Sequence, residues 1–183
     1  ESLDFGIASQ SCYLASFIDT DGNFNLMDGW YEKELHVREQ ATRIMKKRMK
    51  WGISNSNLVI SDPALFRRTA VDTTVADQFS RNGIMLTKGM NNILGGIAKV
   101  GDILNIDPLK INPYTKSYGS PGLFVSDELQ FWIDEIVDYR YKAGRDGTMQ
   151  DMPVDKNDHA MDSTKYLLTY NDDKATLLKA QVD

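Results

Sequence analysis

The stretch SLDFGIASQSCYLASFIDTDGNFNLMDGWY, residues 2–31, decides the predicted fold. Residues 2–6, 12–18 and 24–31 are short, largely apolar runs typical of strands, and the turn-forming sequence DTDGN separates the last two. Because short connections join consecutive runs, the stretch predicts an antiparallel meander.

The spacing of apolar residues changes after the meander. From residue 35 to about residue 50 they recur every three or four positions, which predicts a helix that Gly52 ends. Residues 58–63 then predict a short buried strand that Asp62 and Pro63 stop. Since a strand–helix–strand connection of this kind returns parallel to its first strand, we expect a parallel pair beside the meander.

The rest of the chain predicts helices packed on this sheet. Helices are expected at residues 75–81, at 91–104 and from Ser126 onward, with short strands at 84–86 and 123–125. Residues 105–122 predict a loop, and residues 142–156 a flexible loop or exposed hairpin. A last helix, capped by Asn157, is expected to end near Tyr170. The predicted fold is therefore α/β, with a central mixed sheet of five or six strands flanked by helices.

Composition limits the classes of protein that this chain can represent. Its 183 residues, 42% of them hydrophobic, suffice for one core but not for two full domains. The formal charge of −5 argues against a surface covered in phosphate-binding residues, although a local basic face remains compatible with it. No run of about 18 apolar residues occurs, so we expect no association with a membrane.

Three aspartates lie at predicted strand ends or at a helix start, in apolar surroundings: Asp4, Asp62 and Asp162. The first strand and the strand after a crossover are usually neighbours, so we expect Asp4 and Asp62 at one sheet edge, with the last helix adding Asp162. Close carboxylates repel unless a cation lies among them, and Mg²⁺ or Mn²⁺ suits such oxygen ligands. Two such ions about 3.5–4 Å apart can promote phosphodiester hydrolysis.

Simpler interpretations of the same residues stay open. An aspartate before a proline commonly forms a turn, which would account for Asp62. Asp158 would share the capping of the last helix with Asn157. On a helix, His159 would more often be a surface or hydrogen-bonded histidine than a metal ligand.

The combination of motifs resembles the nuclease domain of the large terminase subunit, the DNA-packaging protein of tailed bacteriophages, whose fold is like that of ribonuclease H. The resemblance runs through nearly the whole chain, from LDFG and DTDGN through VISDPALF and NGIMLTKGMNNILGGIAKVGDIL to LFVSDELQFWIDEIVDYRYK. Its most specific marker is KNDHAMDSTKYLL, in which Asn-Asp-His-Ala-x-Asp precedes a basic residue and a tyrosine.

The resemblance implies a metal-dependent endonuclease that cuts concatemeric double-stranded viral DNA with two divalent ions, Mg²⁺ or Mn²⁺. By position, the family's first metal-binding aspartate matches Asp4, and its second matches Asp62, where some members carry glutamate. The third falls within NDHAMD. We favour Asp162 with His159 beside it. Asp158 remains a rival, because residues 158 and 162 share a helix face just as residues 159 and 162 do, so spacing does not separate them.

The resemblance also implies partners. Large terminases carry an ATPase domain and work with a small terminase subunit and a portal protein, in the cytoplasm of the bacterial host and transiently on the procapsid portal. This chain lacks the loop G-x-x-x-x-G-K-S/T. We therefore expect residues 1–170 to be a nuclease domain from the C-terminal part of a longer protein, followed by a polar tail at 171–183.

Candidate DNA contacts come from basic residues near these acids. Arg67 and Arg68 follow Asp62 and are expected to hold a phosphate. Lys142 and Arg145 belong to the segment before the acidic motif, which in the family can form a hairpin that limits access or contacts DNA. The dense basic run at residues 43–50 is equally compatible with DNA binding and with a solvated face.

Two other functions remain compatible with the sequence. One is a nuclease of the ribonuclease H-like class with another substrate, such as a junction resolvase. The other is a non-catalytic domain that docks on the portal.

Overall fold

A six-stranded mixed sheet forms the centre of the computed structural model, which describes residues 1–68, 72–90, 92–143, 149–154 and 157–180. Its strands are β1 Ser2–Asp4, β2 Ser11–Ile18, β3 Phe24–Glu32, β4 Val59–Ser61, β5 Leu86–Lys88 and β8 Leu123–Val125, while β6 (Asp107–Ile111) and β7 (Tyr118–Ser120) form a separate two-stranded sheet. The six strands lie in the order β5-β4-β1-β2-β3-β8. The predicted meander is confirmed, because β1 and β3 both pair antiparallel with β2.

Five α-helices are present in these residues, with a short 3₁₀ turn at Pro63–Phe66. They are α1 Val37–Trp51, α2 Val75–Arg81, α3 Ile93–Leu104, α4 Gln130–Asp138 and α5 His159–Ala180. Helix α1 ends as predicted at Gly52, whose φ of 64° is a left-handed conformation that favours glycine. None of the described helices combines the length and the apolar content needed to cross a membrane.

The sheet separates two apolar cores. Tyr13 and Ala15 of β2 face the core beneath α1 and α2, whereas Cys12 and Leu14 face the core beneath α4 and α5. This alternation follows from the two-residue period of a strand. Both faces of the central strands are therefore buried.

The basic run on α1 is largely engaged in ion pairs. Arg48 is buried and bonds Glu1 at 2.8 Å, while Lys47 and Lys50 both reach Asp28. Arg43 pairs with Glu32 at 2.6 Å. These contacts fasten α1 to the sheet.

Several predicted boundaries were wrong. The strand expected at residues 84–86 is β5, which begins two residues later, at Leu86. Residues 105–122 are not a loop throughout, because β6 (Asp107–Ile111) pairs antiparallel with β7 (Tyr118–Ser120). Each strand of a two-stranded sheet has one side without a neighbouring strand. A proline, which lacks an N–H, can face that side without removing a hydrogen bond between the strands. Helix α4 begins at Gln130 and not at Ser126, because the Leu129 N–H closes a turn on the Ser126 carbonyl at 3.0 Å.

Helix α5 extends to Ala180 instead of ending near Tyr170. Residues 171–180 are polar enough to resemble a tail, but they include good helix formers such as alanine, leucine and lysine. Before α5, β9 (Tyr141–Ala143) pairs antiparallel with β10 (Met149–Pro153), as the predicted hairpin requires. The connecting residues 144–148 lie outside the described residues.

Candidate functional site

Asp4 and Asp62 lie at the same edge of the sheet. Strand β1 pairs parallel with β4, with Leu3 opposite Ser61. The next residue on each strand is the aspartate, so both carboxylates follow the last paired position. Parallel pairing, set by the crossover through α1, therefore brings together two acids that are distant in sequence.

Helix α5 brings the acidic motif to this edge. The Ser163 hydroxyl lies 2.9 Å from the Ser2 hydroxyl, which fixes the helix to β1 within a buried contact. One turn earlier, His159 Nδ1 lies 2.7 Å from Asp4 Oδ2. The start of α5 thus contacts the first aspartate directly.

Asp4 is an unusual carboxylate because it is only 8% exposed. Burial raises its pKa, the hydrogen bond to His159 lowers it, and the charges of Asp162 and Asp62 raise it again, to a net value of about 6. The pKa of His159 is raised in turn, chiefly by its bond to Asp4. Asp4 therefore lies in a negative field that a nearby cation would relieve.

Asp162 forms an ion pair with Lys165, one turn further along α5. Lys165 is buried, and its Nζ also lies 3.3 Å from the Tyr139 hydroxyl. Burial alone would lower the pKa of Lys165, but Asp162 outweighs it and the net shift is upward. The sequence marked Lys165 only as the basic residue of the motif; its spacing of three from Asp162 was the available signal for a pair.

Asp62 does form the turn that an aspartate before proline predicts. Its Oδ1 accepts a hydrogen bond of 2.7 Å from the Ala64 N–H and so caps the 3₁₀ turn. Its charge nevertheless contributes to the raised pKa of Asp4. Capping and proximity to Asp4 are thus compatible roles for this residue.

Asp158, and not Asn157, occupies the cap position of α5. The Asp158 carbonyl accepts the first helical hydrogen bond, from the Asp162 N–H at 2.8 Å, and Asn157 has a φ of 53°. An N-cap residue is the one whose carbonyl accepts that first bond. The predicted capping by Asn157 was therefore wrong by one position.

Tyr166 shows how closely the acids are grouped. This tyrosine is 6% exposed, and its pKa is raised first by burial and then by Asp62, Asp162, Asp4 and Asp158. Gly89, just after β5, packs against the ring, where a Cβ would come within 2.9 Å of Cδ1. All four candidate carboxylates thus act on one buried group.

Glu135 of α4 is a second buried acid that the sequence did not single out. Its Oε1 accepts a 2.6 Å hydrogen bond from the Met161 N–H in the first turn of α5. Burial raises the pKa of Glu135 to about 7, although the Met161 and Ala160 N–H groups oppose this shift. Glu135 therefore holds the beginning of α5 in place; its only sequence signal was a charge within the apolar run WIDEIV.

The structure describes three of the four residues predicted to contact DNA. Arg67 and Arg68 are exposed just after the 3₁₀ turn, and Arg68 pairs with Asp72 at 2.9 Å. Lys142 is half-buried in β9. Arg145 lies outside the described residues.

The donor set suits a hard divalent cation by chemistry, although the described residues contain no ready-made cluster of three or more His, Cys, Asp or Glu side chains that could hold a metal. Asp4 is bonded to His159, and Asp162 is paired with the ammonium group of Lys165. Burial is the largest cause of the raised pKa of Asp4, and the charges of Asp162 and Asp62 add to it.

Comparison with solved structures shows the fold. The large terminase nuclease domain from bacteriophage SPP1, solved with bound Mn, is 16% identical with a TM-score of 0.62 and covers 93% of this chain and 84% of its own. The P22 large terminase nuclease domain is 15% identical with a TM-score of 0.64, covering 93% and 79%. The large terminase of a thermophilic bacteriophage is 20% identical with a TM-score of 0.67.

The present chain spans 38% of the length of that last protein and is itself covered over 92% of its residues. No family model and no curated protein matches the sequence. At these identities the likeness establishes the fold, and the predicted ribonuclease H-like fold of large terminase nuclease domains is confirmed.

Proposed function

We propose that this chain is a metal-dependent endonuclease that cuts concatemeric double-stranded viral DNA during genome packaging. One observation carries the proposal: Asp4, buried at the end of β1 with a pKa of about 6, lies within the field of Asp62 and Asp162. Groups with pKa values perturbed by burial and by like charges concentrate at functional sites. The shared fold of phage terminase nuclease domains supports the choice of reaction.

Two divalent ions, Mg²⁺ or Mn²⁺, would be held by Asp4, Asp62 and Asp162, with His159 and Asp158 adjoining. When bound, such ions supply Lewis acidity to a phosphodiester and lower the pKa of water. The choice of metal is supported by the Mn bound in the SPP1 domain.

The chain's own residues orient this site. His159 bonds one oxygen of Asp4, and Glu135 bonds the first turn of α5. The Ser2–Ser163 contact fixes the position of that helix along β1. Because α5 is held by three separate contacts, Asp162 has a defined position relative to Asp4. Exposed Arg67 and Arg68 would bind the DNA backbone through phosphate contacts that carry no sequence information.

The proposed setting follows from the same likeness. Double-stranded DNA is the substrate, an ATPase domain of the same protein moves it, and a small terminase subunit and a portal protein are the partners. These events would take place in the bacterial host's cytoplasm, on the procapsid portal.

Cleavage of supercoiled plasmid tests the site. Wild type should cut in Mn²⁺ or Mg²⁺ and not in chelator, and Asp4→Asn, Asp62→Asn and Asp162→Asn should each reduce the rate by about a hundredfold or more, since a metal ligand contributes several kcal/mol. Asp102→Asn, at an exposed position of α3, is the matched control and should cut like wild type. Wild-type rates in the Asp4 and Asp62 variants would refute the site.

The same assay ranks the acidic motif. Asp158→Asn and His159→Ala are compared with Asp162→Asn at several Mn²⁺ concentrations. If Asp162 is the third ligand, its variant loses activity at all concentrations, whereas the His159 variant is partly rescued by more metal. A larger loss in the Asp158 variant would transfer the role to Asp158.

DNA binding in chelator tests the arginines. Arg67→Ala should weaken binding to duplex DNA and reduce the salt dependence of the binding constant by about one phosphate contact. Arg43→Ala removes the same charge from α1, where Glu32 already neutralises it, and should change neither. Lys142→Ala and Arg145→Ala, measured together, test the predicted contact of the β9–β10 segment.

A further inference from the structure

Lys165 is the residue near the candidate site whose placement is least expected. It is only 7% exposed, and lysine is seldom buried without a partner. Its ammonium group pairs with Asp162 and lies 3.3 Å from the Tyr139 hydroxyl. A charged group is thus held inside the protein against one candidate metal ligand.

Close packing of α3 keeps the side chain there. Gly96 lies so close to Lys165 that a Cβ at Gly96 would stand 2.9 Å from Lys165 Cγ and 3.0 Å from its Cβ and Cδ. The three carbons form the stem of the side chain, which has little freedom to move aside. Helix α3 therefore packs directly on the stem of Lys165, which keeps this part of the side chain between α3 and α5.

Four aspartates surround the beginning of α5, so a positive charge there reduces their mutual repulsion. Asp4, Asp62, Asp158 and Asp162 all act on Tyr166, the residue next to Lys165. His159 offsets part of the charge at Asp4, and Lys165 offsets that at Asp162. Without these partners, α5 would have to dock on β1 against the repulsion of the acids.

We propose that Lys165 is a resident counter-cation that positions Asp162 and limits how tightly the site binds divalent cations. It is a positioning residue, since it acts through Asp162. The inference rests on the metal site proposed above. It extends that proposal by assigning the affinity of the site to a residue outside the ligand set.

The proposal predicts that loss of Lys165 raises the affinity for divalent metal, whereas ordinary structural damage would lower it. The ammonium group of Lys165 would repel a divalent ion held by the neighbouring carboxylates, and at a separation on the order of 6 Å that repulsion would weaken binding about tenfold even at the dielectric constant of water. Removing the charge should therefore tighten metal binding. A merely structural lysine would do the opposite, because its loss would disorder Asp162 and weaken binding.

The test is calorimetric titration of the whole chain with Mn²⁺. Lys165→Met keeps the stem packed on Gly96 and removes the charge, and it should bind Mn²⁺ about tenfold more tightly than wild type. Its melting temperature in chelator should fall, and Mn²⁺ should raise that temperature more than in wild type. Lys165→Arg keeps the charge and should restore wild-type affinity.

Two further variants make the result decisive. Lys165→Gln is neutral but retains a hydrogen-bond donor for Asp162, so it should also bind more tightly and replaces the methionine variant if that one does not fold. Thr169→Val alters a buried hydrogen bond to the Lys165 carbonyl without altering charge, and should leave Mn²⁺ affinity unchanged.

Equal or weaker Mn²⁺ binding in both neutral variants overturns the inference alone. If wild type binds no Mn²⁺, the inference and the metal site both fall. Tighter binding in the neutral variants together with a wild type that cuts no DNA would support the counter-cation and refute the proposed nuclease function.

Discussion

Asp28 illustrates how single residues of α1 and the sheet depend on one another. This aspartate of β3 is 4% exposed and accepts hydrogen bonds from Lys47, from Lys50 at 3.0 Å and from Trp51 Nε1 at 2.8 Å. Burial would raise its pKa, but these donors outweigh burial and lower it to about 2. Much of the chain's densest basic segment therefore serves the fold.

The pH dependence of stability follows from this shift. The folded pKa of Asp28 lies below its unfolded value of about 3.9, so the contribution is fully present above that value and is lost as the pH falls toward 2. Asp28→Asn should lower the free energy of unfolding by about 1 kcal/mol at pH 7, less than full linkage would give because both lysines reach solvent. Urea unfolding of both proteins should show the difference shrinking below pH 4. A difference that is independent of pH would contradict the assignment.

Arg48 and Arg43 offer a second comparison within one helix. Arg48 is 1% exposed and holds Glu1 with two hydrogen bonds from Nε and one from Nη2. Arg48→Ala leaves the buried Glu1 carboxylate without its arginine partner and should cost about 3–5 kcal/mol of unfolding free energy. Arg43→Ala breaks an exposed pair and should cost at most about 1 kcal/mol. Equal losses in urea denaturation would show that burial does not distinguish the two pairs.

At the scale of elements, the contact between α3 and α5 depends on a missing side chain. Gly96→Ala would force a Cβ against the stem of Lys165 and should destabilise the protein by about 1–3 kcal/mol. Gly101 lies on the same helix with no atom within 4 Å of an added Cβ, so Gly101→Ala should be neutral or stabilise by up to about 1 kcal/mol. Thermal unfolding of the pair separates crowding from helix propensity, and an equal response to both changes would argue against close packing at Gly96.

The elements that the sequence predicted well are those with a strong local signal. The meander followed from alternating runs and the DTDGN turn, and the end of α1 from Gly52. The β6–β7 ribbon was missed because its prolines suggested a loop, and the start of α4 because SDE resembles a helix cap. In both cases local composition is ambiguous and tertiary packing decides.

The placement of two candidate site residues was predictable from the sequence. A crossover connection predicts adjacent strands, so Asp4 and Asp62 could be placed at one edge from sequence. The partners Lys165 and Glu135 could not be identified, because their roles depend on which face of α4 and α5 is buried and on the room left by Gly96.

At the scale of the whole molecule, the two cores share one sheet and should unfold together. Trp30 belongs to the core beneath α1 and α2, and Trp132 to the core beneath α4 and α5. In a chain that carries Trp51→Phe, Trp132→Phe leaves Trp30 as the only tryptophan, and Trp30→Phe leaves Trp132. Each of these two variants therefore reports on one core. Both proteins should give fluorescence and circular dichroism transitions with coincident urea midpoints within each variant, as two-state unfolding requires. Separate midpoints would mean that the faces unfold independently.

The position of α5 in the chain has a consequence for biosynthesis. All six strands of the described sheet precede α5, and the helix carries His159 and Asp162 to Asp4, which is translated 155 residues before His159. A growing polypeptide therefore presents Asp4 and Asp62 without the acids of α5 until that helix has been translated. The group of four carboxylates arises only when α5 docks on β1, so a chain translated only as far as α4 lacks it.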